Sequence, residues 1–229
     1  MKNLVVLTGA GMSAESGIPT FRDANGLWHN HRIEDVATPE AWQSNPRLVL
    51  EFYNQRRKQL LSVQPNAGHI ALVGMESRFK VQIITQNVDD LHERAGSKNV
   101  LHLHGELRKV RSERYDNLVY PWDADLHLGD KCERGAQLRP HIVWFGESVP
   151  MLSKAAEITS KADILLIVGT SLQVYPAAGL MSYAPPDIPV FYVDPNPQTN
   201  YSLSLLDNLT IVAQPASTGI EKVAGLLPT

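Results

Sequence analysis

Two short polar segments carry the side chains best suited to acid–base chemistry. Residues 86–90, Gln-Asn-Val-Asp-Asp, follow the β-branched run 81–85, and His104 ends the run 100–104. The pKa of a histidine lies near neutrality, so its imidazole can take a proton from a substrate hydroxyl. His102 precedes His104 by two residues and would face the same side of a strand, so spacing alone does not rank the two histidines.

The acidic residues of the first segment have two interpretations. Asp89 and Asp90 could form an N-cap pair for a helix that begins at Leu91. The carboxyl ends of parallel strands are also where ligands bind in open α/β sheets. We assign the capping role to Asp90, and a functional role to Asp89 together with Asn87.

A glycine-rich turn near the N-terminus predicts a phosphate site. The apolar run 4–7 indicates a buried strand, and residues 8–11 follow it with two glycines. These glycines should allow positive φ and leave room for a ligand, while Ser13 caps the next helix and Glu15 lies in its first turn. A helix N-terminus after such a turn attracts phosphate. Read as GxGxxG, the motif has Ala14 in its third position and is weak, so a tight turn without a ligand remains an alternative.

The segment after this turn predicts a loop over the same site. Gly17 and Pro19 fall where a crossover helix would normally continue. We therefore expect a short helix and then a loop that carries Phe21 and Arg22. A loop directly after a phosphate site is a natural lid over the rest of a nucleotide.

The same stretch closely resembles a known family signature. Residues 9–23, GAGMSAESGIPTFRD, with Gly-Leu-Trp at 26–28, resemble the opening of the sirtuins, the NAD-dependent protein lysine deacylases. Further blocks resemble sirtuin motifs in the family's order: TQNVDDLHERAG from Thr85, LHLHGEL from Leu101, PHIVWFGE from Pro140 and GTSLQVYPAA from Gly169. The resemblance covers most of the chain and fails mainly between residues 108 and 137.

The resemblance implies an NAD site along the carboxyl edge of the sheet. His104 would be the general base, while Asn87 and Asp89 would bind the nicotinamide carboxamide with Ile18 beside them. The other residues implied to contact NAD are Gly9, Ala10, Gly11, Ser13, Phe21, Arg22, Gln86, Gly169, Thr170, Ser171, Asp194, Pro195, Asn196, Ala216 and Ser217.

The resemblance also implies an acylated protein or peptide as the second substrate. The acyl-lysine peptide would enter as an extended strand between residues 145–147 and 172–174, with affinity from main-chain bonds and little sequence preference. The implied substrate-binding residues are Tyr53, Arg56, Val143, Phe145, Gly146, Glu147, Gln173 and Val174.

Tyr53 and Arg56 indicate which acyl group the protein removes. They are three residues apart and would share one helix face, although a half-buried tyrosine beside a surface arginine is common without any function. The segment YNQR resembles the Tyr-x-x-Arg pair with which some sirtuins bind the carboxylate of succinyl, malonyl or glutaryl groups. We therefore expect removal of succinyl and malonyl groups, and weaker removal of acetyl groups, yielding nicotinamide and O-acyl-ADP-ribose. Arg57 and Lys58, next along the chain, are expected to form a solvated helix face.

Other functions remain as alternatives. Within the class these are a general protein deacetylase and a mono-ADP-ribosyltransferase. A non-catalytic NAD-binding sensor is disfavoured by the presence of both His104 and Asn87. A dehydrogenase needs a second strand about 20 residues after the glycines, ending in an acid. Glu34 and Asp35 lie near that distance, but no strand signal precedes them.

The cysteine count bears on metal binding. Cys132 is the only cysteine, which excludes an internal disulfide and a four-cysteine zinc site. Most sirtuins carry two CxxC pairs in this region, whereas the acidic residues and the histidine around Cys132 have no metal-ligand spacing. We expect no metal and a lobe packed around Tyr115, Leu118, Tyr120, Trp122, Leu126 and Leu128.

The order of strand and helix signals predicts an α/β fold, a doubly wound parallel sheet with a smaller inserted lobe. The Rossmann-like NAD-binding domain would comprise residues 1–29, 62–107 and 139–229, with a helical insertion at 30–61 and a loop-rich, zinc-free insertion at 108–138. The net charge of −3 gives no reason to expect nucleic-acid binding, and no apolar run approaches the length of a signal peptide core or membrane span. We expect a cytoplasmic monomer, with the oligomeric state left open.

Overall fold

The computed structural model describes residues 1–20, 31–198, 201–204 and 206–227. Predictions for Phe21, Arg22 and the Gly-Leu-Trp segment therefore lie outside the described residues. In chain order the elements are β1 (Asn3–Thr8), α1 (Gly11–Ala14), α2 (Ile33–Val36), α3 (Pro39–Ser44), α4 (Pro46–Ser62), α5 (Ala67–Met75), β2 (Lys80–Thr85), α6 (Leu91–Ala95), β3 (Val100–His102), β4 (Gly105–Ser112), β5 (Val119–Pro121), β6 (Leu138–Ile142), α7 (Leu152–Thr159), β7 (Ile164–Val168), a 3₁₀ helix (Ala177–Tyr183), β8 (Val190–Val193), α8 (Tyr201–Ser204), β9 (Leu209–Val212) and α9 (Ala216–Leu226).

The larger sheet is parallel and covered on both faces. Its six strands have the order β3-β2-β1-β7-β8-β9. In β1, Leu4 and Val6 pack with residues of α5 and α9, whereas Val5 and Leu7 pack with residues of α7 and the 3₁₀ helix. Since successive side chains of a strand point to opposite faces, an uninterrupted apolar run is what a strand between two helical layers requires. The predicted doubly wound fold is confirmed.

The strand order creates a switch point beside β1. From β1 the chain builds β2 and β3 on one side and later adds β7, β8 and β9 on the other. The connections that leave β1 and β7 therefore run in opposite directions and open a crevice at their carboxyl ends. In open α/β sheets this crevice is where ligands bind.

Helices α2, α3 and α4 separate β1 from β2, and two of them begin as the sequence predicts. The Thr38 hydroxyl accepts the Ala41 N–H at 3.0 Å, and the Asn45 side chain accepts the Leu48 N–H at 3.2 Å. A proline follows each capping residue, where its missing N–H costs nothing. Among the residues that the structure describes, no helix is long and apolar enough to cross a membrane.

The small lobe is more regular than predicted. An antiparallel sheet with the order β5-β4-β6 occupies much of the region expected to be loop-rich, and the predicted limits at 107/108 and 138/139 fall inside β4 and β6. Its core is formed by Leu50, Val110, Leu126, Cys132, Ala136 and Leu138, with four predicted aromatic and leucine residues, Tyr115, Leu118, Tyr120 and Trp122, packed against it. Leu128 is 44% exposed, so its assignment to this core is wrong.

Arg57 also differs from the expectation, because it is buried rather than solvated. Its guanidinium donates to the Leu107 carbonyl at 3.0 Å, the Asn54 side-chain oxygen at 2.9 Å and the Ala124 carbonyl at 3.2 Å. The bond to the Leu107 carbonyl is buried, and the Asn54 side-chain oxygen also accepts the Leu126 N–H at 2.9 Å. Arg57 thus fastens α4 to the small lobe, while Lys58 remains exposed.

Candidate active site

The glycine turn packs directly against the end of β7. The Gly9 N–H donates to the Val168 carbonyl at 3.0 Å, and the Gly11 N–H donates to the Gly169 carbonyl at 2.8 Å. A Cβ on Gly11 would lie 2.7 Å from the Gly169 Cα. Neither Gly9 nor Gly11 has a positive φ, whereas Gly169 has a φ of 61°. The expectation of positive φ in the turn is therefore wrong; its glycines are needed because two backbones approach closely.

Ser13 links this turn to the loop after β2. It lies inside the four-residue helix α1, whose N-cap is Ala10 without a side-chain bond, so the predicted capping role of Ser13 is wrong. The Ser13 hydroxyl instead donates to the Asp89 carboxylate at 2.9 Å and accepts the Asn87 amide N–H at 3.1 Å. One hydroxyl thus fixes both polar side chains of the loop.

Glu15 lies at the C-cap of α1 and not in its first turn. Its carboxylate accepts the Ser217 N–H at 3.0 Å and the Ser217 hydroxyl at 2.7 Å. A carboxylate at the start of a helix is favoured by the unpaired N–H groups there. Glu15 therefore fixes the start of α9, where Ala216 is buried and Ser217 is half-buried.

Asn87 and Asp89 are buried at the carboxyl end of β2. The Asn87 amide also donates to the Gly9 carbonyl at 3.1 Å, and the Asp89 carboxylate accepts the Leu91 N–H at 3.2 Å. Burial raises the pKa of Asp89, while the bonds from Ser13 and Leu91 oppose that rise. The amide and the carboxyl group thus lie in a dry, hydrogen-bonded pocket beside the glycine turn.

Asp90 has a different role from the predicted one. It occupies the N-cap position of α6, but its side chain makes no capping bond. The carboxylate instead pairs with Arg108 at 2.7 Å, and Asp89 supplies the bond to the first turn of α6. The prediction that Asp90 caps the helix is therefore wrong for its side chain.

The two histidines do not share a strand face, because β3 ends at His102. The His104 Nδ1 is 3.1 Å from the Gln86 carbonyl oxygen, which can only accept, so Nδ1 carries the hydrogen and Nε2 keeps a lone pair. Burial lowers the pKa of His104, and the Gln86 carbonyl opposes this. A neutral imidazole with a basic Nε2 is the form that a general base requires.

His102 is bonded through both ring nitrogens. Its Nδ1 is 3.0 Å from the Asn87 carbonyl oxygen, and its Nε2 is 2.8 Å from the Glu93 carboxylate. No local pattern in the sequence indicates this arrangement, since Glu93 reaches His102 only through the packing of α6. The geometry ranks these two histidines where spacing did not, because of the two His104 alone has a ring nitrogen without a described hydrogen bond.

Other predicted NAD residues lie at the carboxyl ends of β2, β7 and β8. The Gln86 amide donates to the Thr170 hydroxyl at 3.0 Å, which connects two of these strand ends. Asp194 is buried directly after β8, and its carboxylate accepts the Asn196 N–H at 2.9 Å. Gly169 and Ser171 flank Thr170, and Pro195 lies between Asp194 and Asn196.

A small cavity, partly open to solvent, connects this edge to α4. Its lining residues are Ile18, Tyr53, Arg56, Gln59, Leu60, Val88, Asp89 and Leu107. Tyr53 is buried, and its hydroxyl accepts the Trp144 indole N–H at 3.0 Å. Arg56 is half-buried, with its guanidinium carbon 5.2 Å from the centre of the Phe52 ring. The arginine and tyrosine predicted to act together therefore face one cavity, together with Asp89.

The residues of the predicted peptide-binding edge differ in orientation: two are exposed to solvent, and the side chain of a third points into the protein. Phe145 is 45% exposed, with its N–H bonded to the Ala37 carbonyl at 3.0 Å, and Gly146 is exposed. The Glu147 carboxylate is turned inward to Arg139, at 2.7 Å, and to Arg111. Only the backbone of Glu147 is therefore suited to contact a peptide.

The other predicted residues of this edge follow strands β6 and β7. The Val143 N–H donates to the His104 carbonyl at 2.9 Å, so Val143 is adjacent to the candidate base. Gln173 and Val174 are exposed after β7.

The described residues bring together no group of three or more histidine, cysteine, aspartate or glutamate side chains that could hold a metal ion. Cys132 is buried, and its sulfur lies 3.5 Å from the Ser112 hydroxyl. An apolar cluster and the bonds from Arg57 contribute to holding this lobe together.

We expect elemental analysis of the purified protein to find no stoichiometric zinc. Treatment with a chelator should leave its melting temperature unchanged, because the chain has a single cysteine and the core of the small lobe is apolar. A sirtuin with two CxxC pairs, treated in parallel, is the positive control. One zinc ion per chain whose removal lowers the melting temperature would contradict this prediction.

Comparison with known proteins gives a consistent result. The family model "Sir2 family" matches residues 9–176. An NAD-dependent protein deacylase of Helicobacter pylori is 60% identical over 195 residues, which cover 85% of each chain. Another, of Bacteroides thetaiotaomicron, is 53% identical over 233 residues, covering 99% of this chain and 98% of the relative. The solved structure of a Sir2 homolog–NAD complex has a TM-score of 0.84 and 38% identity, covering 99% of this chain and 91% of the other.

The doubly wound sheet, with polar groups gathered at its carboxyl edge, is that of a Rossmann-like protein. This chain belongs to the Sir2 family, the sirtuins, as the family model and the relatives show. The resemblance noted in the sequence motifs is confirmed.

Proposed function

We propose that this protein removes succinyl and malonyl groups from lysine side chains of other proteins in preference to acetyl groups. It is an NAD-dependent protein deacylase, as its family and the names of its relatives indicate. The preference for acidic acyl groups is the part that goes beyond this class. The products would be the free lysine, nicotinamide and O-acyl-ADP-ribose.

The residues at the switch point fit an NAD molecule. The glycine turn has no side chain on its two glycines that could block a ligand. A Cβ at Gly9 or Gly11 would also lie less than 3 Å from atoms of Gly169 or Thr170, the residues that follow β7. Asp194 offers a buried carboxylate at the end of β8, which suits a ribose hydroxyl. The two amide hydrogens of Asn87 are bonded to Gly9 and Ser13, which orients its side-chain oxygen to accept from a carboxamide N–H. We propose that these residues and their neighbours on the same edge, including Ala10, Ser13, Ser171 and Ser217, hold NAD.

The chemistry that NAD supplies is a ribose carbon whose bond to nicotinamide can break. Asn87 and Asp89 would hold the nicotinamide end, fixed in turn by Ser13. The acyl oxygen of the substrate would bond to this ribose carbon as the bond to nicotinamide breaks, and Nε2 of His104 would take the proton of a ribose hydroxyl. The hydrogen on Nδ1, bonded to Gln86, keeps Nε2 unprotonated for this step. Addition of water would then release the lysine amine and leave the acyl group as an ester on ADP-ribose.

One observation carries the acyl preference: Arg56 and Tyr53 line the same cavity as Ile18 and Asp89. The Nε of Arg56 is buried without a hydrogen-bond partner among the described residues. A substrate carboxylate that enters this cavity would be costly to bury unpaired, and an arginine offers it a permanent charge and a planar fork. An acetyl group carries no charge and gains nothing from the guanidinium.

The peptide itself would bind as an added strand between residues 145–147 and 172–174. Gly146 is exposed, with a φ of 90°, a conformation that favours glycine. Recognition through main-chain bonds would accept many sequences around the lysine.

We also propose that the protein is a cytoplasmic monomer, as the sequence predicts.

The test is a panel of peptides with one sequence and different acyl groups on lysine, assayed with NAD. We expect kcat/KM for nicotinamide release to be higher for succinyl-lysine and malonyl-lysine than for acetyl-lysine. Reactions without peptide and without NAD are the controls. A higher kcat/KM for acetyl-lysine would make the protein a general deacetylase. Transfer of labelled ADP-ribose to protein would indicate a transferase, and NAD binding without nicotinamide release a sensor.

A further inference from the structure

We propose that Glu93 and His102 form a charged pair that positions Asn87 for nicotinamide binding. This inference deepens the proposed function and rests on it. His102 would not touch NAD or the acyl group. It would act through the Asn87 backbone and is therefore a positioning residue.

The hydrogen bonds of His102 define its charge. Both of its partners, the Asn87 carbonyl oxygen at 3.0 Å and the Glu93 carboxylate at 2.8 Å, are acceptors. Two acceptors require a hydrogen on each ring nitrogen, and an imidazole with two N–H groups is a cation. The His102 side chain is only 7% exposed, so water does not easily replace either partner. This geometry distinguishes His102 from His104, which has one bonded nitrogen.

The charged groups around His102 come from three elements. Burial lowers the pKa of His102, but the bond and charge of Glu93 on α6 outweigh burial, and the pKa is raised overall. Glu106 on β4 adds to the rise, although its carboxylate also pairs with Lys109. The carboxyl group of Asp89, on the loop after β2, also interacts electrostatically with His102.

His92 on α6 is the other titratable ring nearby. Burial is the largest cause of its strongly lowered pKa, and the charge of His102 lowers that pKa further. His92 therefore stays neutral and does not compete with His102 for Glu93.

The pair reaches the proposed site through one residue. Asn87 accepts from His102 at its carbonyl, and its own N–H donates to the Thr85 hydroxyl at 3.0 Å. Its amide is aimed at Gly9 and Ser13. If His102 loses its second proton, one of its two bonds must break. The Asn87 peptide group then has one anchor fewer, which leaves its amide less well oriented.

The experiment replaces Glu93 with glutamine, which keeps the shape and an acceptor oxygen but removes the charge. Glu93→Gln should lower kcat/KM for NAD by about 10- to 100-fold near pH 8, the scale of losing a charge-assisted bond that fixes geometry. Above the raised pKa of His102 the wild type should also lose activity, and in the variant this alkaline limb should move to lower pH. The KM for the acyl peptide should change much less.

Two variants complete the design. His102→Gln carries no titratable group, so it should be impaired at every pH and should lack that alkaline limb. Asp130→Asn is the matched control, because Asp130 contacts the exposed His127 at 3.8 Å in the small lobe and is not among the residues that line the cavity. It should leave the rates and the pH profile unchanged.

Nitrogen NMR of histidines in the intact protein tests the charge without turnover. In the wild type, His102 should show two protonated nitrogens at pH 7, and in Glu93→Gln it should titrate at lower pH. A neutral His102 at pH 7, or an alkaline limb that is the same in the wild type and Glu93→Gln, would overturn the proposal.

If the wild type releases no nicotinamide with any acyl peptide, it is the proposed function that fails. The pair of Glu93 and His102 is then still tested by measuring NAD binding to the same variants by calorimetry.

Discussion

His104→Ala is expected to lower kcat for nicotinamide release and deacylation by about 10²- to 10⁴-fold, the usual contribution of a general base. The reason is that Nε2 of His104 is the ring nitrogen left to accept a proton, since Nδ1 donates to Gln86. NAD binding, measured by calorimetry, should survive, because the phosphate and adenine ends of the proposed site lie on β1, β8 and α9. In the wild type, the acidic limb of the kcat/KM profile should lie below the range of an ordinary histidine, as burial lowers the pKa of His104.

Two histidine variants serve as comparisons for this prediction. His127→Ala removes an exposed imidazole whose side chain is 71% exposed in the small lobe, and it should not change the rate. His102→Gln should impair the reaction less than His104→Ala, because His102 is proposed to act only through Asn87. Near-normal turnover of His104→Ala, together with a larger loss in His102→Gln, would show that the base is assigned to the wrong histidine.

Arg56→Met is expected to cost desuccinylation about 2–4 kcal/mol in kcat/KM, or roughly 30- to 1,000-fold. Methionine keeps an apolar stem against Phe52 but leaves the substrate carboxylate without a cation in a half-buried cavity. Deacetylation should change far less, or improve, since an acetyl group makes no use of the charge. The measurement is kcat/KM for succinyl-lysine and acetyl-lysine forms of one peptide, in both wild type and variant.

Lys58→Met is the matched control, because it removes an exposed cation from the same helix, two positions along. It should leave both activities unchanged. Arg56→Lys should retain part of the desuccinylase activity, since it keeps the charge but not the planar fork. Equal losses on both substrates in Arg56→Met would make Arg56 a structural residue, and the acidic-acyl preference would then be wrong while the deacylase activity stood.

Much of the fold could be read from local patterns. The runs at 4–7 and 164–168 are apolar at successive positions because both faces of those strands are covered by helices. Thr38-Pro39 and Asn45-Pro46 start helices because a capping side chain and a proline act within one turn. These signals depend only on neighbouring residues in the sequence, so these elements can be predicted without the tertiary structure.

Two of the errors share a physical cause, which is that the role of the residue depends on a partner distant in the chain. Arg57 resembles a surface cation until Leu107 and Ala124 pack onto α4 and present their carbonyl oxygens. Ser13 resembles a helix cap until the loop after β2 brings Asp89 to its hydroxyl. No pattern within a few residues of either position contains this information.

The family motifs, the doubly wound sheet and the edge at which the polar residues gather could all be predicted from the sequence, because periodicity and strand order are local or nearly so. The contacts that those residues make with one another are visible in the tertiary structure. It separated His104 from His102 by giving one a single acceptor and the other two. It also explained Gly11 by the approach of Gly169, not by its own φ. Hydrogen bonds and close contacts between segments far apart in the chain are set by packing, and they exist only after the chain has folded.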